Sequence, residues 1–222
     1  MKKRINFWVI GIAVFAVIIA AWAIAFNFKN SKNASVESLS LYRKDQYTIM
    51  EKMMKDMLDI PVSENEAVDF LEGMIPHHES AVAMAESYLK HGGDQKTLKP
   101  LAEDIITVQK DEIKQMQTLI QKLDSSKNHS RSRSSSYMKE YRQMFHQSHS
   151  GHTSSADASS IDEAFAEGMI EHHQMAVDMS ELILKYTKQK DVTKLAKNII
   201  KTQQAEIRKM NVVLKERNHS HH

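Results

Sequence analysis

The chain has 222 residues, enough for one sizeable domain or two small ones, with 30 basic against 28 acidic side chains and a formal charge of +2. That balance leaves no electrostatic footprint for nucleic acid. Cysteine is absent while methionine occurs 14 times and histidine 12 times, which excludes thiolate chemistry and suits soft-metal binding in an oxidising compartment, where thiols would be lost to disulfides.

Met1-Lys2-Lys3-Arg4 precedes an uncharged apolar run from Ile5 to Phe26, long enough to cross a bilayer as one helix. The basic residues ahead of it place the N-terminus in the cytoplasm and the bulk of the chain outside. Residues 1–28 are therefore expected to anchor a single-pass, extracytoplasmic protein to the cell membrane. The alternative is secretion after cleavage of a signal peptide at a small-x-small site in Ala21-Trp22-Ala23. With no cysteine behind the run, a lipoprotein anchor is excluded.

Residues 29–62 hold a polar spacer and then an amphipathic helix from Leu41 to Leu58, in which Met50, Met53, Met54 and Met57 follow i, i+3, i+4, i+7 spacing. Four methionines beside Lys and Asp exceed what core filling usually needs, and they read as a low-specificity Cu(I)-collecting surface. Pro61 ends that helix. The first long segment, 63–124, opens with Ser63 as N-cap and Glu66 three residues on, and Gly92-Gly93 closes its leading helix near His91. A further helix is expected from Leu98 to Leu123.

Residues 125–160 change to Ser, His and Arg, the composition of a mobile linker. Within it Tyr137 to His146 loosely matches the sequence from Tyr42 and is expected to form a short helix. That helix leads into His146, His149 and His152, which together with His129 are exchangeable metal ligands or solvated linker. Ser160 and Glu163 repeat the capping pattern for a helix to Tyr186, and Asp191 opens the last helix, to Arg217. Residues 218–222 form a His-rich tail.

The two long segments match each other. Gly73-Met74-Ile75-Pro76-His77-His78 corresponds to Gly168-Met169-Ile170-Glu171-His172-His173, with Met84 and Met179 further along. Their second helices keep Gln109, Glu112, Ile113 and Met116 at the offsets of Gln203, Glu206, Ile207 and Met210. At about 100° per residue, Met74, His77, His78, Ala81 and Met84 share an arc of about 120°. Short connections within each pair and a long one between them predict an all-α, antiparallel four-helix bundle of two pseudo-repeated helix pairs, plus the transmembrane helix.

Thioethers are neutral and soft and select Cu(I) or Ag(I), while imidazole accepts Cu(I), Cu(II) and Zn(II). Met84, Met116, Met179 and Met210 read equally as gap-filling core. Adjacent histidines on an otherwise apolar face, placed there twice, point to metal ligation, because each buried imidazole needs a partner. His77 and His78 sit about 100° apart around the axis. One can therefore ligate while the other meets Glu112 or the opposite half. Gln109, Glu112, Gln203 and Glu206 either orient the imidazoles or crosslink paired helices.

These paired motifs resemble the ferritin-like domain of unknown function 305 family over about Ser63 to Leu123 and Ile161 to Arg217. The resemblance implies an extracytoplasmic helical bundle concerned with copper binding and tolerance. It also implies a ligand set of Met74, His77, His78, Met84 and Met116 with Met169, His172, His173, Met179 and Met210. Glu171 departs from the pattern where the first motif has Pro76, which alters local geometry rather than a ligand.

The expected function is thus copper sequestration or relay, with copper as the bound metal and another copper-handling protein or a second copy of the chain as protein partners. Two other classes compete: an interaction module that binds a partner helix on a methionine-rich face, and a metal-dependent oxidase. No enzyme activity is expected. The spacing of Glu72 from His77 and of Glu167 from His172 departs from the di-iron Glu-x-x-His pattern, and no Gly-x-Ser-x-Gly elbow occurs.

Overall fold

A computed structural model describes residues 35–124, 131–148 and 157–220. The chain divides into two compact units, Met1–Ser40 and Leu41–His222. Six helices and no strand occur among the described residues: α1 (35–58), α2 (Glu66–Lys90), α3 (Leu98–Asp124), α4 (Arg131–Ser148), α5 (Ile161–Tyr186) and α6 (Lys190–Ser220). None of the described helices is long and apolar enough to cross a membrane. The expected anchor, residues 1–28, lies outside them, as do His129, His149 and His152.

The start of α2 differs from the sequence expectation. Asn65, not Ser63, is its N-cap, with the Asn65 side chain accepting from the Ala67 amide at 3.0 Å. Ser63 instead closes a tight turn just ahead, its hydroxyl donating to the Asn65 carbonyl at 2.9 Å and its amide donating to Asp69 at 2.8 Å. Both residues are good caps, and the Asp69 contact decides which one the helix uses. At α5 the expected cap holds: the Ser160 hydroxyl accepts from the Glu163 amide at 3.2 Å.

Gly92, at φ 93°, lets the chain leave α2 in a left-handed turn. A side chain at Gly93 would collide with the Tyr88 ring, since a Cβ there would lie 2.1 Å from Cε2. Tyr88 needs that space because it stacks on Phe165 at 4.2 Å between centroids and donates to Asp162 at 2.6 Å, joining α2 to α5.

Among the four long helices, α2 packs on α3 and α5, α6 packs on α5 and α3, and all four share a core. Each hairpin is antiparallel, its two helices packed together across a short connection; in the first, Glu86 reaches Lys110 and His78 reaches Glu112. The α2–α5 pair is antiparallel too: His77 meets His172 at one level, and Tyr88 meets Phe165 further along.

The stretch expected to be mostly mobile linker contains α4, an 18-residue helix. Its Tyr137, Met138, Tyr141 and Phe145 are buried in the core, and each such side chain contributes about 1.5–3 kcal/mol on burial. The Ser134 hydroxyl lies between Asp69 and the Ser63 carbonyl, with one proton to donate to either, and Arg142 donates to the Ile60 carbonyl at 3.2 Å. Tertiary packing thus makes a helix out of Ser-rich sequence with poor propensity.

The methionine stripe of α1 is not the free surface expected from sequence. Met53 and Met57 are buried in the core, and only Met50 and Met54 are half-buried beside it.

Candidate metal centre

Four imidazoles lie at the middle of the bundle. His77, His78, His172 and His173 each have 0% exposure, because the two His-His motifs sit where α2 and α5 cross. The His77 and His172 rings are 3.8 Å apart between centroids, and each lies 6.1 Å from the neighbouring histidine of its own motif.

Hydrogen bonds place a ring proton on three of the four imidazoles. His77 Nε2 donates to the His172 carbonyl at 3.0 Å. The Ser80 hydroxyl spends its one proton on the His77 carbonyl at 2.6 Å, so His172 Nε2, also 2.6 Å away, donates to Ser80 Oγ. His78 Nε2 donates to Glu112 at 2.8 Å. His173 Nε2 stands 2.7 Å from Glu206 Oε2, close enough for an ion-pair contact though outside hydrogen-bond alignment. In His77, His78 and His172 a proton is on Nε2, and in His77 and His172, which burial keeps neutral, Nδ1 is left as an unprotonated lone pair.

All four Nδ1 atoms are buried without a hydrogen-bond partner. A buried polar atom left unpaired costs about 1–3 kcal/mol, and four unpartnered imidazole nitrogens at one level of a core offer a place to a ligand that takes lone pairs. Burial pushes the His77 and His172 imidazoles well below their usual range, and the neighbouring histidines push them further. Both are therefore neutral, the protonation state in which imidazole binds metals.

Thioethers flank this layer. Met74, Met116, Met169, Met179 and Met210 have 0% exposure and Met84 has 2%. In each hairpin the Met of the first helix lies one turn before the Glu-bound histidine, and the Met of the second helix lies one turn beyond the Glu, so the two Met positions come level. Gln109 and Gln203 are buried with both amide atoms unpartnered; Glu112 and Glu206, not the glutamines, meet the imidazoles. Among the described residues no group of three or more His, Cys, Asp or Glu side chains is arranged to hold a metal ion, so nitrogen and oxygen donors alone do not complete a site.

Sequence reasoning missed Ser80, which holds the His172 imidazole while donating to the backbone carbonyl of His77. Its signal was present: Ser80 lies one turn after His77 on the same face, and the matching position in α5 is Met175. The side chain of His146, with His149 and His152, lies outside what the structure describes.

The family model described as "Domain of unknown function (DUF305)" matches residues 67–214. The chain belongs to this family. Among solved structures, this DUF305 member is similar to CopM in its silver-bound form, with 30% identity, 69% of this chain and 98% of that one covered, and a TM-score of 0.52. The Cu(I)-bound form of CopM gives 30% identity, 68% and 96% coverage and a TM-score of 0.50. The Cu(II)-bound form gives 32%, 68% and 97%, and 0.51. A shorter stretch of 56 residues is 46% identical to "Uncharacterized protein L153" of Acanthamoeba polyphaga mimivirus, a match that spans 25% of this chain and only 37% of the viral protein.

Proposed function

We propose that this protein is an extracytoplasmic copper-binding protein that sequesters or relays copper, with Cu(I) as its principal cargo. The observation that carries the reading is the layer of four buried imidazoles whose Nδ1 atoms have no hydrogen-bond partner. The similarity to CopM, which was solved with Cu(I), Cu(II) and silver bound, supports it.

His77, His78, His172 and His173 supply nitrogen donors, and Met74, Met84, Met116, Met169, Met179 and Met210 supply sulfur. Thioether and neutral imidazole carry no charge, so uptake needs no thiol deprotonation, and the donor set favours a soft monovalent ion over Zn(II) or Mg(II). Glu112 and Glu206 hold the second imidazole of each motif by its Nε2 and keep its Nδ1 lone pair available. Met50 and Met54 on α1 offer further thioethers near the surface. The apolar run at residues 5–26 anchors the protein to the membrane, and the protein has no catalytic turnover of its own.

An anaerobic competition between the purified full-length protein and a colorimetric Cu(I) chelator tests this reading, with His219, His221 and His222 changed to Ala to silence the tail. We expect tight binding of at least one equivalent, lost when His77, His78, His172 and His173 are all changed to Ala. Unchanged binding in that variant would refute the assignment.

A further inference from the structure

From the antiparallel register we infer that the thioethers form two soft-metal sites, one on each side of the imidazole layer, and that each site is assembled from both hairpins: Met74, Met116 and Met179 on one side, Met84, Met169 and Met210 on the other. This deepens the copper reading above and rests on it. A grouping by sequence would instead give each hairpin a site of its own, with Met74, Met84 and Met116 together.

Three observations separate the two groupings. Within each hairpin the pairing of His78 with Glu112 and of His173 with Glu206 sets the register. One helical turn from those contacts, Met74 comes level with Met116, and Met169 with Met210. Between hairpins, the His77–His172 contact marks the crossing of two antiparallel helices. Met84 and Met179 each follow their crossing histidine by seven residues, so each is carried away from its own motif toward the start of the other helix.

The Met84 methyl confirms the direction. It lies 3.6 Å from where a Cβ at Gly168 would stand, next to Met169. The same register puts Met179 level with Gly73, next to Met74. Met74, Met116 and Met179 pack into one apolar cluster with the residues of α1 and α4, and Met84, Met169 and Met210 fall outside that cluster. The imidazole layer divides the methionines along the bundle, not between its hairpins.

Each site therefore offers three thioethers, two from one hairpin and one from the other, with imidazoles of the central layer beside it. Three neutral sulfur donors suit Cu(I) and Ag(I). An ion in either site ties the hairpins together, so metal binding and hairpin association reinforce each other.

The test counts silver(I), added as its nitrate to the full-length protein, by native mass spectrometry. Wild type is expected to retain two ions. Changing Met84, Met169 and Met210 to Leu, or Met74, Met116 and Met179 to Leu, is expected to leave one ion at undiminished affinity. Changing Met74, Met84 and Met116 to Leu strips sulfur from both sites and is expected to weaken both by tenfold or more. If that last variant keeps one ion at full affinity while the first two lose both, the partition is by hairpin and the inference fails. A wild type that retains no silver overturns the copper reading itself.

A second measurement needs no multiple variant. With 13C-methyl methionine in the wild type and single Met→Leu changes for assignment, substoichiometric silver is expected to shift Met84, Met169 and Met210 as one set and Met74, Met116 and Met179 as another. Co-titration of Met74 with Met84 would contradict the grouping.

Discussion

At the scale of single residues, the buried imidazoles tie stability to pH. His77 and His172 are held well below their usual range, first by burial and then by neighbouring histidines, so the folded state favours the neutral form. The unfolded chain takes up protons below about pH 6.5, where unperturbed histidine titrates. The stability these groups carry is thus full above pH 6.5 and is lost as pH falls toward their depressed folded values. For two such groups the slope approaches about 2.7 kcal/mol per pH unit. Urea unfolding of the metal-free protein is expected to show the midpoint dropping between pH 7 and pH 5, and a flatter profile with His77 and His172 both changed to Gln. Equal midpoints for the wild type across that range would contradict the burial argument.

At the scale of helices, one motif position does two different jobs. Gly73 and Gly168 occupy the same place in their motifs, yet a Cβ at Gly73 would lie 2.8 Å from the Tyr141 hydroxyl and 3.1 Å from its Cζ, whereas one at Gly168 would meet only the Met84 methyl at 3.6 Å. Tyr141 is fully buried and donates to the Met57 carbonyl at 3.3 Å, so its ring has nowhere to retreat. Gly73→Ala is expected to destabilise by about 1–3 kcal/mol through overpacking against α4. Gly168→Ala is expected to be neutral or to stabilise by up to about 1 kcal/mol through helix propensity. Denaturant midpoints of the two variants check the opposite signs, and a shift of the same sign in both would show that α4 does not seat on Gly73.

The same helix explains what sequence left hidden. The long helices were legible because their apolar periodicity, caps and closing glycines are local signals, and α3 runs almost to its expected bounds. Residues 131–136 are mostly Ser and Arg, and only the contacts of Tyr137, Met138, Tyr141 and Phe145 with distant helices stabilise α4 as a helix. The choice of Asn65 over Ser63 as cap was likewise decided from outside the local sequence, by Asp69.

At the scale of the whole molecule, the chemistry of the centre was legible in residue type but not in partnership. Spacing named the histidines, methionines and Glu112 and Glu206, since i, i+3 and i+4 offsets put them on inward faces. Nothing local states that Nε2 of His77 finds the carbonyl of His172, that Ser80 bridges the two, or that Met84 sits beside Gly168. Those contacts follow from the antiparallel crossing of α2 and α5, a long-range property.

In the proposed function, copper is held inside the bundle by thioether sulfur and imidazole nitrogen together. Copper K-edge X-ray absorption on the anaerobically Cu(I)-loaded full-length protein, with the terminal histidines changed to Ala, reads those donors directly. Both sulfur and imidazole scatterers are expected around the metal, with the sulfur signal falling when Met74, Met116 and Met179 are changed to Leu. A shell of nitrogen and oxygen alone, unaffected by that change, would place copper on the surface and rule out a thioether site in the bundle.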